Sequence, residues 1–178
     1  MLATTQAMLT GFEPVVDENC RVLVLGSFPG EASLRAGHYY AHRSNQFWPI
    51  VSMALDEDLS LLSFEQRYER LLARRIGLWD VISRCRRQGS LDASIRDAWP
   101  SALDQLLVRL PELRRVLLNG ATAARGAQRI QWPARIELSR MPSTSAAFAA
   151  MPTPEKAGRW VRALRAALLP QSQFLETS

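Results

Sequence analysis

The sequence predicts an α/β fold, a three-layer α/β/α sandwich around a central four-stranded parallel sheet. Three observations carry this. Val22-Leu23-Val24-Leu25 is an unbroken apolar run, as expected for a strand covered on both faces. Three further strand-like segments follow, at Gly77–Ile82, Arg115–Leu118 and Arg135–Leu138. Between them lie stretches whose apolar residues recur at helical spacing, and strands that alternate with helices build parallel sheets.

Residues 1–19 read as a loosely held arm, with Pro14 and Asp17-Glu18-Asn19 leading into a first strand from about Arg21 to Leu25. Gly26-Ser27-Phe28-Pro29-Gly30 then breaks the strand. Gly and Pro permit a sharp turn whose backbone N–H groups can face a ligand, at the strand end where parallel sheets bind ligands. Ser33 is placed to hydrogen-bond within the following loop. That loop is rich in aromatic and polar side chains: Tyr39, Tyr40, His42, Asn45, Phe47 and Trp48. Asn45 to Leu55 reads as a helix, with Phe47, Trp48, Val51 and Leu55 on one face. Phe64 to Arg75 is a second helix, Leu71 and Leu72 inward and Arg67, Arg70, Arg74 and Arg75 outward.

The second strand, Gly77–Ile82, runs into a basic loop, Arg84-Cys85-Arg86-Arg87. Pro100 suits the first turn of a helix reaching about Leu110, capped by Asp97 or by the Trp99-Pro100 geometry, with Pro111 ending it. Arg115–Leu118 is the third strand, and Asn119-Gly120 turns into a helix from Ala121 to about Ile130. Arg135–Leu138, the fourth strand, precedes the loop Met141-Pro142-Ser143-Thr144-Ser145. Thr153 can cap the last helix, Glu155 to Leu168, and the tail after Pro170 reads as frayed. With no internal repeat, the 178 residues suit one domain.

Composition narrows the function. A net charge of +5 permits nucleic-acid binding without requiring it, and of the basic residues only Lys156 is lysine. No stretch approaches the roughly 18 apolar residues of a membrane span, and no basic segment precedes an apolar run at the N-terminus. Cys20 and Cys85 are far apart and match no metal spacing, which points to a reducing cytoplasm and to no metal site. Gly26–Gly30 lacks the GxGxxG spacing of dinucleotide sites.

Two motifs carry a resemblance. GSFPG, a spacer and then YYAHxxNxFW (Gly26–Trp48) resemble the first motif of the uracil-DNA glycosylase superfamily, most closely its hypoxanthine-DNA glycosylase branch. Met141–Ser145 resembles the second motif, a loop that grips the DNA backbone. Having both in the right order is a stronger signal than either alone. Two cysteines are too few for the superfamily's iron–sulfur branches. The resemblance implies a monomeric enzyme acting on DNA that contains deaminated bases, with no metal or organic cofactor.

It also implies roles. Such an enzyme turns the target nucleotide out of the duplex. Tyr40 matches the aromatic platform on which the flipped base stacks; read from the residues alone it is more often a core ring beside Phe47 and Trp48. Phe28 replaces the Asp or Asn that positions water in the uracil-specific branches, and the hypoxanthine branch uses an Asn that maps onto Asn45. A neutral amide orients water rather than deprotonating it; Asn45 is also well placed to cap its helix. His42 is the second catalytic candidate. Gly30 stands where uracil enzymes carry a Tyr, leaving room for a purine, or it simply permits the turn.

Ser27 and Phe28 offer backbone groups to the base edge, and Asp80 ends the second strand where it can accept from a purine N–H or cap a loop. Met141 stands where many relatives have a His that steadies the departing base. Pro142 stiffens the loop, Ser143, Thr144 and Ser145 can donate to phosphates or form an ordinary polar turn, and Phe148 can wedge into the base stack. Asn119 and Gly120 can offer amides to a phosphate or make a tight turn, and Arg84, Arg86 and Arg87 can reach the DNA backbone. Lys156 is expected to lie away from both motifs, so no Schiff-base lyase step is implied. The rival readings are a uracil- or mismatch-directed glycosylase of the same fold, a catalytically silent DNA-binding module, and a small-molecule nucleotide hydrolase.

Overall fold

A computed structural model describes residues 7–169. Its strands are β1 (Leu9–Thr10), β2 (Val22–Gly26), β3 (Ile76–Asp80), β4 (Ile82–Arg86), β5 (Arg96–Pro100), β6 (Arg115–Asn119) and β7 (Glu137–Met141). Its α-helices are α1 (Glu31–Ala36), α2 (Phe47–Leu55), α3 (Phe64–Ala73), α4 (Leu103–Val108), α5 (Ala121–Ala127) and α6 (Thr153–Leu168). Four strands form a parallel sheet in the order β3-β2-β6-β7. This is the expected four-stranded parallel sheet with helices on both faces.

The apolar run explains the centre of the sheet. Val22, Leu23, Val24 and Leu25 are all fully buried, because β2 is flanked on both edges and covered on both faces. Val22 and Val24 point into a core with Trp48, Val51, Leu71, Trp160 and Leu164, contributed by α2, α3 and α6. Leu23 and Leu25 point the other way, against Leu103, Leu106, Ala123 and Ala127 of α4 and α5. Side chains alternate across a strand, so one short run feeds two cores.

Several expectations are corrected. The second strand is not continuous from Gly77 to Ile82: β3 ends at Asp80, and the chain re-enters an antiparallel sheet of order β1-β4-β5. Arg84, Cys85 and Arg86 lie in β4, not in a loop, and Cys85 is fully buried. Pro100 ends β5, and the helix begins at Leu103 with no side-chain cap from Asp97 or the Trp99-Pro100 pair. The fourth strand is β7, shifted to Glu137–Met141, which puts Met141 in the sheet rather than in the loop.

The described part of the N-terminal arm is held: β1 pairs with β4, and Val15 bridges Leu78. The first six residues and the tail after Pro170 lie outside the described residues. Helix α1 was not anticipated, and Thr153 opens α6 without a side-chain cap. No helix among the described residues is long and apolar enough to cross a membrane.

Candidate active site

From β2 the chain leads to β3 on one side, and from β3 it crosses back to β6 on the other. Such a reversal opens a crevice at the carboxyl ends of the adjacent strands. A cavity of about 480 Å³ lies there, within the size range of ligand pockets. It is lined by the turn Gly26–Gly30, by Tyr40, His42 and Asn45, by Asp80, by Asn119 and Gly120, and by Ser143–Phe148. The two motifs, about a hundred residues apart, therefore share one wall.

The turn is stitched to the chain beyond β3. The Gly26 and Ser27 carbonyls accept from the Val81 and Ile82 N–H groups at 2.9 and 3.1 Å. Ser27 Oγ donates to Asp92 Oδ1 at 2.8 Å. Phe28 is buried with its ring beside Gly11 and under the Arg87 guanidinium, 5.1 Å from the ring centroid. Arg87 is itself buried and donates to the Pro29 carbonyl. It supports the turn from inside the protein and is not a surface contact for DNA. Arg86 pairs with Asp97 at 3.2 Å and Arg84 lies over Trp99, so these two face outward on the small sheet. Gly30 has φ of −66°, so the turn does not need glycine for its conformation. A Cβ there would meet only Ser90, at 3.5 Å, which leaves space at the cavity edge.

Tyr40 occupies the left-handed region, φ 55°, an uncommon conformation for a bulky residue. Two contacts hold it there. Its ring stacks on the fully buried Phe47 with centroids 4.0 Å apart and planes at 25°, and its hydroxyl accepts from Asn119 Nδ2 at 3.3 Å. Burial first, and then the nearby Asp80 charge, push the phenol pKa up, so it stays neutral. One side of the Tyr40 ring packs on the core while the residue lines the cavity. Ser33 is buried, and its Oγ accepts from the Ala41 N–H at 3.1 Å, fixing the loop as anticipated.

Asn45 also does two things. The helix begins at Phe47 with Gln46 in the cap position, so Asn45 neither starts nor caps it; its Oδ1 still accepts from the Phe47 N–H at 2.9 Å, which satisfies a free donor of the first turn of α2, and the residue lines the cavity. The carbonyl keeps a second lone pair and the amide two N–H groups, enough to orient a water. His42 is exposed, and its Nδ1 accepts from the Ser44 N–H at 3.2 Å.

The second-motif loop divides into anchors and free groups. Thr144 is 1% exposed; its N–H donates to Asn119 Oδ1 at 2.9 Å, its Oγ1 accepts from Asn119 Nδ2 at 3.0 Å, and its carbonyl accepts from the Gln46 N–H at 2.9 Å. It ties the loop to β6 and α2, and its burial keeps its hydroxyl from an external phosphate. Asn119 is equally engaged. The Gly120 N–H is paired with the Leu118 and Met141 carbonyls, so it is not the phosphate donor the sequence suggested. Gly120 has φ of 93°, and a Cβ would press on Ser143 Cβ at 3.2 Å; only glycine serves both needs.

Pro142 does not line the cavity, and its carbonyl accepts from Trp160 Nε1 at 2.8 Å. Ser143 and Ser145 accept from backbone N–H groups two residues on, at 3.2 Å each, leaving their hydroxyl protons to donate. Phe148 is half-buried at the rim. Contrary to expectation, Lys156 lies against this loop: Nζ donates to the Phe148 and Ser145 carbonyls at 3.2 and 3.4 Å and sits 5.2 Å from the Phe148 ring. It is 2% exposed, burial pushes its pKa down, and it does not line the cavity.

Among the lining residues not singled out from the sequence are Ser90, Leu91 and Asp92. They come from the segment after β4, and nothing in their local pattern announces a site. Trp79 packs in both cores, and its Nε1 donates to the Phe12 carbonyl at 3.0 Å, so it faces away. Met141 is buried against the first core. Among the described residues no three His, Cys, Asp or Glu side chains are grouped to hold a metal.

The family model of the Uracil DNA glycosylase superfamily matches residues 13–172. A protein named hypoxanthine DNA glycosylase from Methanosarcina barkeri is 41% identical over 110 residues, covering 62% of this chain and 70% of that protein. A protein of the same name from Methanosarcina acetivorans is 39% identical over 113 residues, covering 64% and 72%. A solution NMR structure of a candidate uracil DNA glycosylase from Methanosarcina acetivorans superposes with a TM-score of 0.80 at 32% identity, over 90% of this chain and 99% of that one.

Proposed function

Because the chain belongs to the uracil DNA glycosylase superfamily, we propose that its cavity receives a nucleotide flipped out of DNA and that the enzyme hydrolyses its N-glycosidic bond, hypoxanthine being the preferred base. The observation that carries this is the meeting of Tyr40, Asn45 and the Ser143 loop around one cavity whose Gly30 side is open. Tyr40 stacks on the base, and such stacking is worth about 1–3 kcal/mol, the scale of the cost of flipping. Gly30 leaves room for a two-ring base. Asn45, held by its bond from the Phe47 N–H, orients the water that attacks C1′. Ser143 and Ser145 donate to the phosphates beside the flipped nucleotide, and Phe148 fills the space it leaves. Phe28 and Met141 take no part in the chemistry.

The product is an abasic site. Lys156, the one lysine, is buried behind the loop and bonded to two carbonyls, which supports hydrolysis without strand cleavage. The test is a panel of duplexes carrying hypoxanthine, xanthine, uracil or a mismatch, each followed by alkaline scission. Hypoxanthine should be released fastest. Faster release of uracil would shift the assignment to the pyrimidine branch, and no release from any duplex would leave only a DNA-binding module.

A further inference from the structure

One buried acid in the cavity has no partner. Asp80 is 4% exposed and lines the cavity, and its Oδ2 makes no hydrogen bond among the described residues. Its Oδ1 occupies the space over Gly26, where any Cβ would collide with it and would also touch the Tyr40 hydroxyl at 3.3 Å. An ionised carboxylate held this way lacks the donors that would offset its loss of water; a protonated one needs only an acceptor.

The charged and titratable groups that bear on it are few. Asp92, beside Ser27, disfavours ionisation, while Arg87, behind the turn, favours it. The phenols of Tyr39 and Tyr40 are both pushed up and stay neutral. Burial is the largest influence, and the carboxyl is raised to about 7. Meanwhile Met141, standing where relatives were expected to steady the departing base with a His, is buried in the core and cannot help.

We propose that Asp80 is the general acid of the reaction, passing the proton on Oδ2 to N7 of the flipped purine as the glycosidic bond breaks. This rests on the glycosylase reading above and deepens it. The C1′–N9 bond breaks and its electron pair enters the purine ring. The Asp80 proton goes to N7, and hypoxanthine leaves as a neutral molecule. The water held by Asn45 bonds to C1′ through its oxygen and gives up one proton, which returns the Asp80 carboxylate to its acid form. Water is the only co-reactant. The role reverses the one suggested by sequence, since Asp80 donates to the base instead of accepting from it.

The experiment is single-turnover release of hypoxanthine from an inosine duplex between pH 5 and 9, for the parent protein and Asp80→Asn. Affinity for an uncleavable 2′-fluoro-2′-deoxyinosine duplex is measured alongside. The parent rate constant should be level below about pH 7 and fall about tenfold per unit above it, as the acid form is lost. At pH 6 the Asn variant should be slower by about 10²–10³-fold, with a flat profile and with affinity within about threefold of the parent.

The assignment is overturned by a parent rate that does not change between pH 6 and 9, or by an Asn variant that keeps the alkaline fall. A deficit confined to affinity also overturns it. The parent profile alone decides the matter if the variant does not fold. If the parent releases no base at any pH, the glycosylase reading falls and Asp80's role with it; release with a flat profile removes only Asp80.

Discussion

Asn119 and Thr144 clasp each other at two points: Thr144 N–H donates to Asn119 Oδ1 at 2.9 Å, and Asn119 Nδ2 donates to Thr144 Oγ1 at 3.0 Å. The clasp joins the end of β6 to the loop that borders the cavity, and it leaves Asn119 Nδ2 able to reach the Tyr40 hydroxyl as well. A polar pair this buried fixes geometry, because either partner alone would be left unsatisfied.

Thr144→Val keeps the shape of the side chain and removes the acceptor. Asn119 then loses a buried partner, which should cost about 1–3 kcal/mol in urea unfolding. Release of base should fall with it, because both Tyr40 and the Ser143 loop lose a fixed support. Ser145→Ala, which removes a hydroxyl outside the clasp, should leave stability nearly unchanged and weaken DNA binding instead.

Asn45→Ala separates local support from catalysis. Loss of the bond from the Phe47 N–H should destabilise the fold by about 1 kcal/mol. Turnover of an inosine duplex should fall by about 10²-fold or more, since a mispositioned water loses its approach to C1′. Binding of the same duplex should be largely kept. An Asn45→Ala protein that cuts at the parent rate would remove Asn45 from the chemistry.

Gly30→Tyr tests the open side of the cavity. The backbone there suits any residue and a Cβ meets only Ser90, so the protein should fold with near-parent stability. A ring in that space should exclude a purine before a pyrimidine. The ratio of hypoxanthine to uracil release should drop by about tenfold or more, read from competing labelled duplexes.

Asp80 makes stability depend on pH in a definite direction. Its pKa in the folded protein, about 7, lies above the ordinary carboxylate value of 3.8, so between these the folded state holds the proton that the unfolded state has lost. Stability from this group is therefore full below about pH 4 and declines as pH rises to about 7. Asp80→Asn removes the dependence. Its melting temperature relative to the parent should be clearly higher at pH 8 than at pH 5.

The parallel sheet was legible because Val22–Leu25 is apolar at every position, a pattern that only a doubly covered strand requires. The small antiparallel sheet was not. Residues 96–100 are exposed throughout, and β4 carries arginines at Arg84 and Arg86, so neither strand shows the periodic burial that announces one. Their pairing rests on backbone hydrogen bonds to segments distant in the chain, and these leave no trace in local composition.

The amino-acid sequence alone determined the parallel strands whose ends bear the cavity and most of the candidates within it, because apolar periodicity and the Gly26–Trp48 motif are local properties. Only the tertiary structure decided which candidate is free to act. Ser143 and Thr144 are alike as residues, yet Thr144 is taken up by Asn119 and Ser143 is not. Arg87 looks like a DNA contact but is buried behind the turn, and Asp80 has an oxygen that nothing among the described residues satisfies. Availability is a property of neighbours in space: a polar group is spent or free according to what the fold brings within about 3 Å of it, and that is set by contacts between segments far apart in the chain.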